Sequence, residues 1–151
     1  MNKNNKAIIC GGCFWGIEEN FKNKPGIIET EVGYAGGLSD KVTYEEVCKG
    51  DTGHAEVVRL TFDEKLISSK KILDLFFKMH DPTQKDMQYP DVGTQYRSEI
   101  FYEDDTQKAE AKEILEGFNK ELNGKIQTNI SRLKNYCKAE EYHQKYIEKN
   151  R

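Results

Sequence analysis

No stretch of this 151-residue sequence approaches the ~18 consecutive apolar residues of a membrane-spanning helix, and no apolar segment at its start resembles a secretory signal. A chain of a reducing, cytoplasmic compartment, with no membrane partner, is therefore expected. There is no basic block either: 23 Lys and Arg against 26 Asp and Glu leave a net charge of −3, so nothing favours a phosphate backbone, and nucleic acid is not an expected partner. Internal repeats, low-complexity tracts and Pro- or Gly-rich linkers are all missing, which leaves one domain over residues 1–151. Four cysteines are too few for a disulfide scaffold, and a domain of this length buries roughly 70 % of its unfolded surface without such staples. Zinc is equally poorly served, because only Cys10 and Cys13 have ligand spacing and neither a second C-x-x-C nor a histidine pair accompanies them. The thiols are expected to be reduced, and hence to serve chemistry or packing.

What the chain does have is periodicity. Lys6 to Cys10 is a short apolar run stopped by Gly11 and Gly12, and Phe14, Ile17 and Phe21 then recur at helical spacing until Pro25 and Gly26. Cys13 therefore falls at the first turn of a helix. Ile28, Thr30, Val32 and Tyr34 alternate with Glu29 and Glu31 as a half-buried strand. Residues 55–62 alternate again, but the face that carries Val58, Leu60 and Phe62 also carries Glu56, a carboxylate on an apolar face. Ser68 and Ser69 can cap a helix with the stripe Ile72, Leu73, Phe76, Phe77 and Met79. Asp104 with Gln107 opens another, bearing Ala111, Leu115, Phe118 and Leu122 and closed by Asn123 and Gly124. An aperiodic stretch separates Phe77 from Ile100, long enough to be read as functional. Strands are expected at 100–102 and 126–130, and a polar helix at 139–149. This order of elements predicts an α+β domain, a two-layer sandwich of a mixed sheet with packed helices.

A free thiol of ordinary pKa is only a few per cent to a tenth thiolate near neutral pH, and the positive end of a helix raises that share. Cys13 alone has this placement. A thioredoxin-like C-x-x-C puts its nucleophile first, whereas here the helix starts at the second cysteine. A papain-like protease signature resembles CGGCF, but it needs Ser or Ala where Gly12 stands, its histidine would be His143 in an expected exposed helix, and Asn150 follows too closely to orient it. Phe14 and Trp15, directly after the thiol, would wall the space above it, which suits a substrate with a small apolar group beside a polar electrophile.

GCFWG, GYAGG, YEEVCKGDTGHAEVV, HDPT and PDVGTQYRS, in this order, resemble the A-type peptide methionine sulfoxide reductases, and the resemblance runs from Gly12 to about Tyr146. It implies a ferredoxin-like plait with extensions and thiol-dependent, cofactor-free reduction of the S epimer of methionine sulfoxide, in oxidised proteins or as the free amino acid. Cys13 would attack the sulfoxide sulfur and Glu56, its pKa raised by burial, would protonate the oxygen. Tyr34 and Tyr96 would hydrogen-bond that oxygen, Phe14 and Trp15 would hold the S-methyl group, and Asp91 would order the site or its water. His54, beside the proposed acid, is open equally to a structural and a catalytic role, His80 more to a structural one, and Cys48 needs no catalytic role. The sulfenic acid left on Cys13 needs a second thiol. The Gly-rich cysteine tail of many relatives has no counterpart after residue 149, so Cys10 and Cys137 are the candidates, with direct reduction by thioredoxin, glutaredoxin or a small thiol beside them. A cysteine hydrolase and a non-enzymatic thiol redox partner are the two other function classes.

Overall fold

The computed structural model describes residues 5–11, 14–88 and 91–149, with side chains from residue 14 onward except 147 and 148. Six strands form one sheet: β1 (Asn5–Gly11), β2 (Ile27–Ala35), β3 (Ala55–Asp63), β6 (Glu99–Tyr102), β7 (Asn129–Arg132) and β8 (Cys137–Lys138), in the order β7-β6-β1-β3-β2-β8. The helices are α1 (Phe14–Phe21), α2 (Tyr44–Cys48), α3 (Ser69–Met79), α4 (Asp105–Glu121) and α5 (Tyr146–Lys149). The four central strands pair antiparallel and are joined as β1-α1-β2-β3-α3-β6, the connection of a ferredoxin-like plait. At the edges β7 adds parallel to β6 and β8 antiparallel to β2, so the sheet is mixed, as expected.

Strand β3 sits at the centre because both its faces are apolar. Val58, Leu60 and Phe62 are fully buried with Phe14, Ile17 and Phe21 of α1 and Ile72, Phe76 and Phe77 of α3, while Ala55 and Val57 pack with Phe101 on the other face. Local chemistry starts the helices where the sequence indicates. The Ser68 side chain accepts the Lys71 N–H at 3.1 Å and Asp104 accepts that of Gln107 at 2.8 Å, caps worth about 1 kcal/mol each. The Gln107 carboxamide reaches the Glu103 N–H, one residue short of a reciprocal box. Asn123 and Gly124, both at positive φ, end α4.

Four expectations are corrected. Ile28 is 53 % exposed, because a shift in the β2–β3 pairing between Ile27 and Glu29 turns it out of the alternation that Thr30, Val32 and Tyr34 keep. The strand expected at 126–130 is β7, which starts at Asn129. The aperiodic stretch contains a small hairpin, β4 (Met87–Gln88) with β5 (Asp91–Val92), and a 3-10 turn at Thr94–Tyr96. Residues 139–149 are no continuous helix: a 3-10 turn at Glu141–His143 and a positive φ at Lys145 precede α5. Long-range bonds outcompete the helical ladder there. Ala139 N–H donates to Val32 O at 3.0 Å, Lys145 N–H to the Glu18 carboxylate, and the Gln144 carboxamide pairs with both N–H and C=O of Val32.

Candidate active site

Cross-strand register builds the floor. Tyr34 on β2 lies opposite Glu56 on β3 and, at its other side, opposite Cys137 on β8, so the three residues share one row and one face. Helix α1 opens above this row, and its first residue, Phe14, donates its N–H to Glu56 Oε1 at 3.4 Å. Cys13 lies outside the described residues, as does the side chain of Cys10; in sequence Cys13 immediately precedes the residue that touches Glu56.

Glu56 is only 2 % exposed, and its Oε2 has no hydrogen-bond partner among the described residues. Burial pushes its carboxyl from 4.5 up to about 8; the Phe14 N–H works against the rise and the charge of Asp91 adds to it. At neutral pH the group is mainly the acid. Arg59 offers it no salt bridge, since that side chain projects, exposed, from the opposite face of β3. The carboxyl on the apolar face is thus mainly protonated at neutral pH, with one oxygen unpaired among the described residues.

Aromatic side chains wall the space. Phe14 is buried against Tyr34, ring centroids 5.8 Å apart, and Trp15 stacks on Tyr146 at 3.9 Å. The Trp15 indole N–H donates to His143 Nδ1 at 3.0 Å. An indole nitrogen only donates, so His143 carries its own proton on Nε2, which is buried without a partner among the described residues. Burial lowers the His143 pKa, overriding the nearby charge of Glu140, and keeps the ring neutral. The exposed helix expected around His143 is therefore replaced by a fully buried histidine that orients the tryptophan.

The phenols differ from one another. Tyr34 is fully buried and donates its hydroxyl proton to Glu140 Oε1 at 2.8 Å; burial first, then this carboxylate, lift its pKa far above that of an ordinary tyrosine. Tyr44, the first residue of α2, gives its N–H to Glu140 Oε2 at 2.9 Å. Its ring lies against Trp15 and His143, centroids 6.2 and 4.2 Å away, and burial first, then the neighbouring Cys48, with smaller contributions from Glu56 and Tyr96, raise its pKa. Sequence reasoning missed Tyr44, although it sits within the YEEVCKG motif. Tyr96 is half-buried at the end of the 3-10 turn, and Asp91 is half-buried on β5. Arg97 straps this loop down: its Nη1 donates to Thr94 O and its Nη2 to Gly53 O, both at 3.0 Å, tying the turn to the segment that leads into Glu56.

The remaining histidines and cysteines lie around this row. His54 is buried with Nε2 on Ser39 O at 2.8 Å, and its ring fills the space beside Gly37. His80 is held between Phe76 O and the Ser98 hydroxyl. Cys48 is exposed, and Cys137 is half-buried with its thiol 3.7 Å from Val42 O. An open groove of about 520 Å³ beside the C-terminal ends of α3 and α4 is lined by His80 but by none of Phe14, Trp15, Tyr34, Glu56, Asp91 and Tyr96.

Among the described residues no helix is long and apolar enough to cross a membrane. Comparison with known proteins gives a consistent result. The sequence model of the peptide methionine sulfoxide reductase family matches residues 5–151. The peptide methionine sulfoxide reductase of Pelagibacter ubique is 57% identical over 143 residues, 95% of this chain and 97% of its own. Reduced Mxr1 from Saccharomyces cerevisiae is similar in structure with a TM-score of 0.92 at 39% identity, covering 99% of this chain and 88% of its own. Mxr1 in complex with Trx2 is similar at a TM-score of 0.67 and 27% identity, over 97% of this chain and 87% of its own.

Proposed function

The chain belongs to the A-type peptide methionine sulfoxide reductases, enzymes of thiol-dependent methionine sulfoxide reduction, and from that premise we propose how its own residues perform the reaction. The Cys13 thiolate, next to the positive end of α1, attacks the sulfur of the S epimer, and Glu56 passes its proton to the sulfoxide oxygen as the S–O bond breaks. Two electrons move from the cysteine sulfur to the methionine sulfur, the oxygen protonated by Glu56 passes from the methionine sulfur to Cys13 as its sulfenic acid, the transient sulfur–sulfur bond breaks, and methionine leaves. A second thiol then displaces that oxygen as water and forms a disulfide.

The observation that carries this reading is the buried Oε2 of Glu56, unpaired among the described residues, on an acid at neutral pH beside the N–H of the residue after Cys13. Phe14 and Trp15 hold the methyl group. Tyr96 and Asp91 close the oxygen side. Tyr34 stands in the same row, but a phenol has one proton and Tyr34 gives it to Glu140, so we assign the second hydrogen bond to the oxygen to Tyr44 and a supporting place to Tyr34. For the resolving thiol, Cys137 shares the Tyr34 row and Cys48 ends the short helix that Tyr44 begins, while Cys10 is near in sequence. Thioredoxin is the reductant favoured by the Mxr1 complex with Trx2, with glutaredoxin or a small thiol as the other donors.

Incubation with a dithiol and both epimers of methionine sulfoxide, in a peptide and free, tests the reading: only the S epimer should be consumed. Peptide cleavage without reduction would instead identify a cysteine hydrolase. Peptide mass mapping after one turnover without reductant should find Cys13 oxidised, and identifies the resolving thiol if a disulfide has formed.

A further inference from the structure

We propose that Glu140 is a positioning residue for this reaction: its single carboxylate fastens the Tyr34 hydroxyl and the first turn of α2 together, and so sets where the Tyr44 ring stands against Trp15 and His143 in the wall of the site. The proposal rests on the functional reading above, and on a separate set of contacts.

Helix α2 is five residues long, little more than one turn. Its first N–H groups have no helical partner. The Thr43 hydroxyl and the Glu46 carboxylate serve each other's backbone N–H, and Glu140 Oε2 takes the N–H of Tyr44 at 2.9 Å. The other oxygen of Glu140 takes the Tyr34 hydroxyl at 2.8 Å. Glu140 is itself held on both sides. Ala139 before it bonds Val32 through its N–H and Gln144 through its C=O, and Gln144 also pairs with both backbone groups of Val32. The segment after β8 is thus a fixed strap on β2, and Glu140 is the point where it grips the helix that carries Tyr44. Burial opposes its charge, but the Tyr44 N–H and the Tyr34 hydroxyl outweigh that and hold its carboxyl below the usual range, so it is ionised at neutral pH.

The chemistry of this grip needs two acceptor oxygens. A carboxylate has two; a carboxamide has one oxygen and a donor nitrogen. In Glu140→Gln a single neutral oxygen is left to accept, so the Tyr34 hydroxyl either turns round to accept from the amide nitrogen or competes with the Tyr44 N–H for that oxygen, and both charge-assisted bonds are lost. Adding Tyr34→Phe removes one claimant and leaves that oxygen to Tyr44. A merely structural Glu140 would show no such rescue.

The test is a double-mutant cycle on the full chain, read by kcat/KM for the S-sulfoxide peptide and by exchange of the Tyr44 amide proton. Introducing E140Q should lower kcat/KM by about tenfold when Tyr34 is present, the scale of one lost charge-assisted hydrogen bond, and by less than about twofold in a Y34F background. It should lower nothing further in a Y44F background. Amide exchange at Tyr44 should quicken in E140Q and slow again in Y34F/E140Q. Equal losses in the Tyr34 and Y34F backgrounds, or unchanged exchange at Tyr44, would overturn the proposal. Should E140Q not fold, Y34F/E140Q decides alone, since a protected Tyr44 amide supports the grip and an exposed one refutes it. If the wild-type chain reduced no sulfoxide, the functional reading would fail while the exchange result still judged Glu140.

Discussion

Glu56→Gln separates the function of this carboxyl from its cost to the fold. In the native state the carboxyl titrates at about 8, against 4.5 without burial. Between those values the folded chain binds one more proton than the unfolded chain, so unfolding free energy falls by about 1.4 kcal/mol per pH unit as pH rises, and levels off above about 8. The contribution is intact below 4.5 and lost through the folded value. A carboxamide at this position keeps the shape and cannot ionise. The stability of Glu56→Gln relative to wild type should therefore improve by about 3 kcal/mol between pH 5 and pH 8. Over the same change, kcat/KM at neutral pH should fall at least ~10-fold, within reach of the ~10²- to 10⁴-fold typical of a lost general acid, with Cys13 still alkylated. The wild-type rate should decline above about pH 8 as the acid ionises. Urea denaturation at both pH values, with steady-state kinetics, measures all of this. Parallel stability curves for the two proteins, or an undiminished rate in the variant, would refute the reasoning.

Two further perturbations follow from the packing. His143→Ala removes the acceptor of the Trp15 indole N–H, so KM should rise severalfold, the scale of about 1 kcal/mol for one neutral hydrogen bond, with a smaller change in kcat. Trp15 is the only tryptophan in the chain, so its fluorescence should shift in step, and unchanged emission and KM would contradict the assignment. Gly37→Ala places a Cβ 2.0 Å from His54 Nδ1, inside a buried ring held by Ser39 O, and should destabilise the fold by about 1–3 kcal/mol in denaturation. A change within about 0.5 kcal/mol would mean that the His54 ring moves freely.

Elements governed by near neighbours were legible in the sequence. Caps at Ser68 and Asp104, the stripes of α1 and α3, and the parity of β3 that puts Glu56 on the apolar face are all local patterns, and the structure keeps them. The plait itself was legible too, through the resemblance and the order of elements. The misread parts depend on partners far along the chain. Ile28 is turned outward by a pairing irregularity that alternation cannot reveal. Residues 139–149 look helical, yet their backbone answers to Glu18 and Val32, and His143 answers to Trp15 across 128 positions. Tyr44 was missed because its five-residue helix has too little length for a periodic signal and is fastened by Glu140, 96 positions away.

In the proposed mechanism every step passes through the sulfur of residue 13. A single-turnover reaction of the Cys13→Ser variant with the S epimer, quantified as methionine formed per enzyme, tests it most directly. No methionine above the uncatalysed level is the predicted result; formation at the wild-type rate would contradict it.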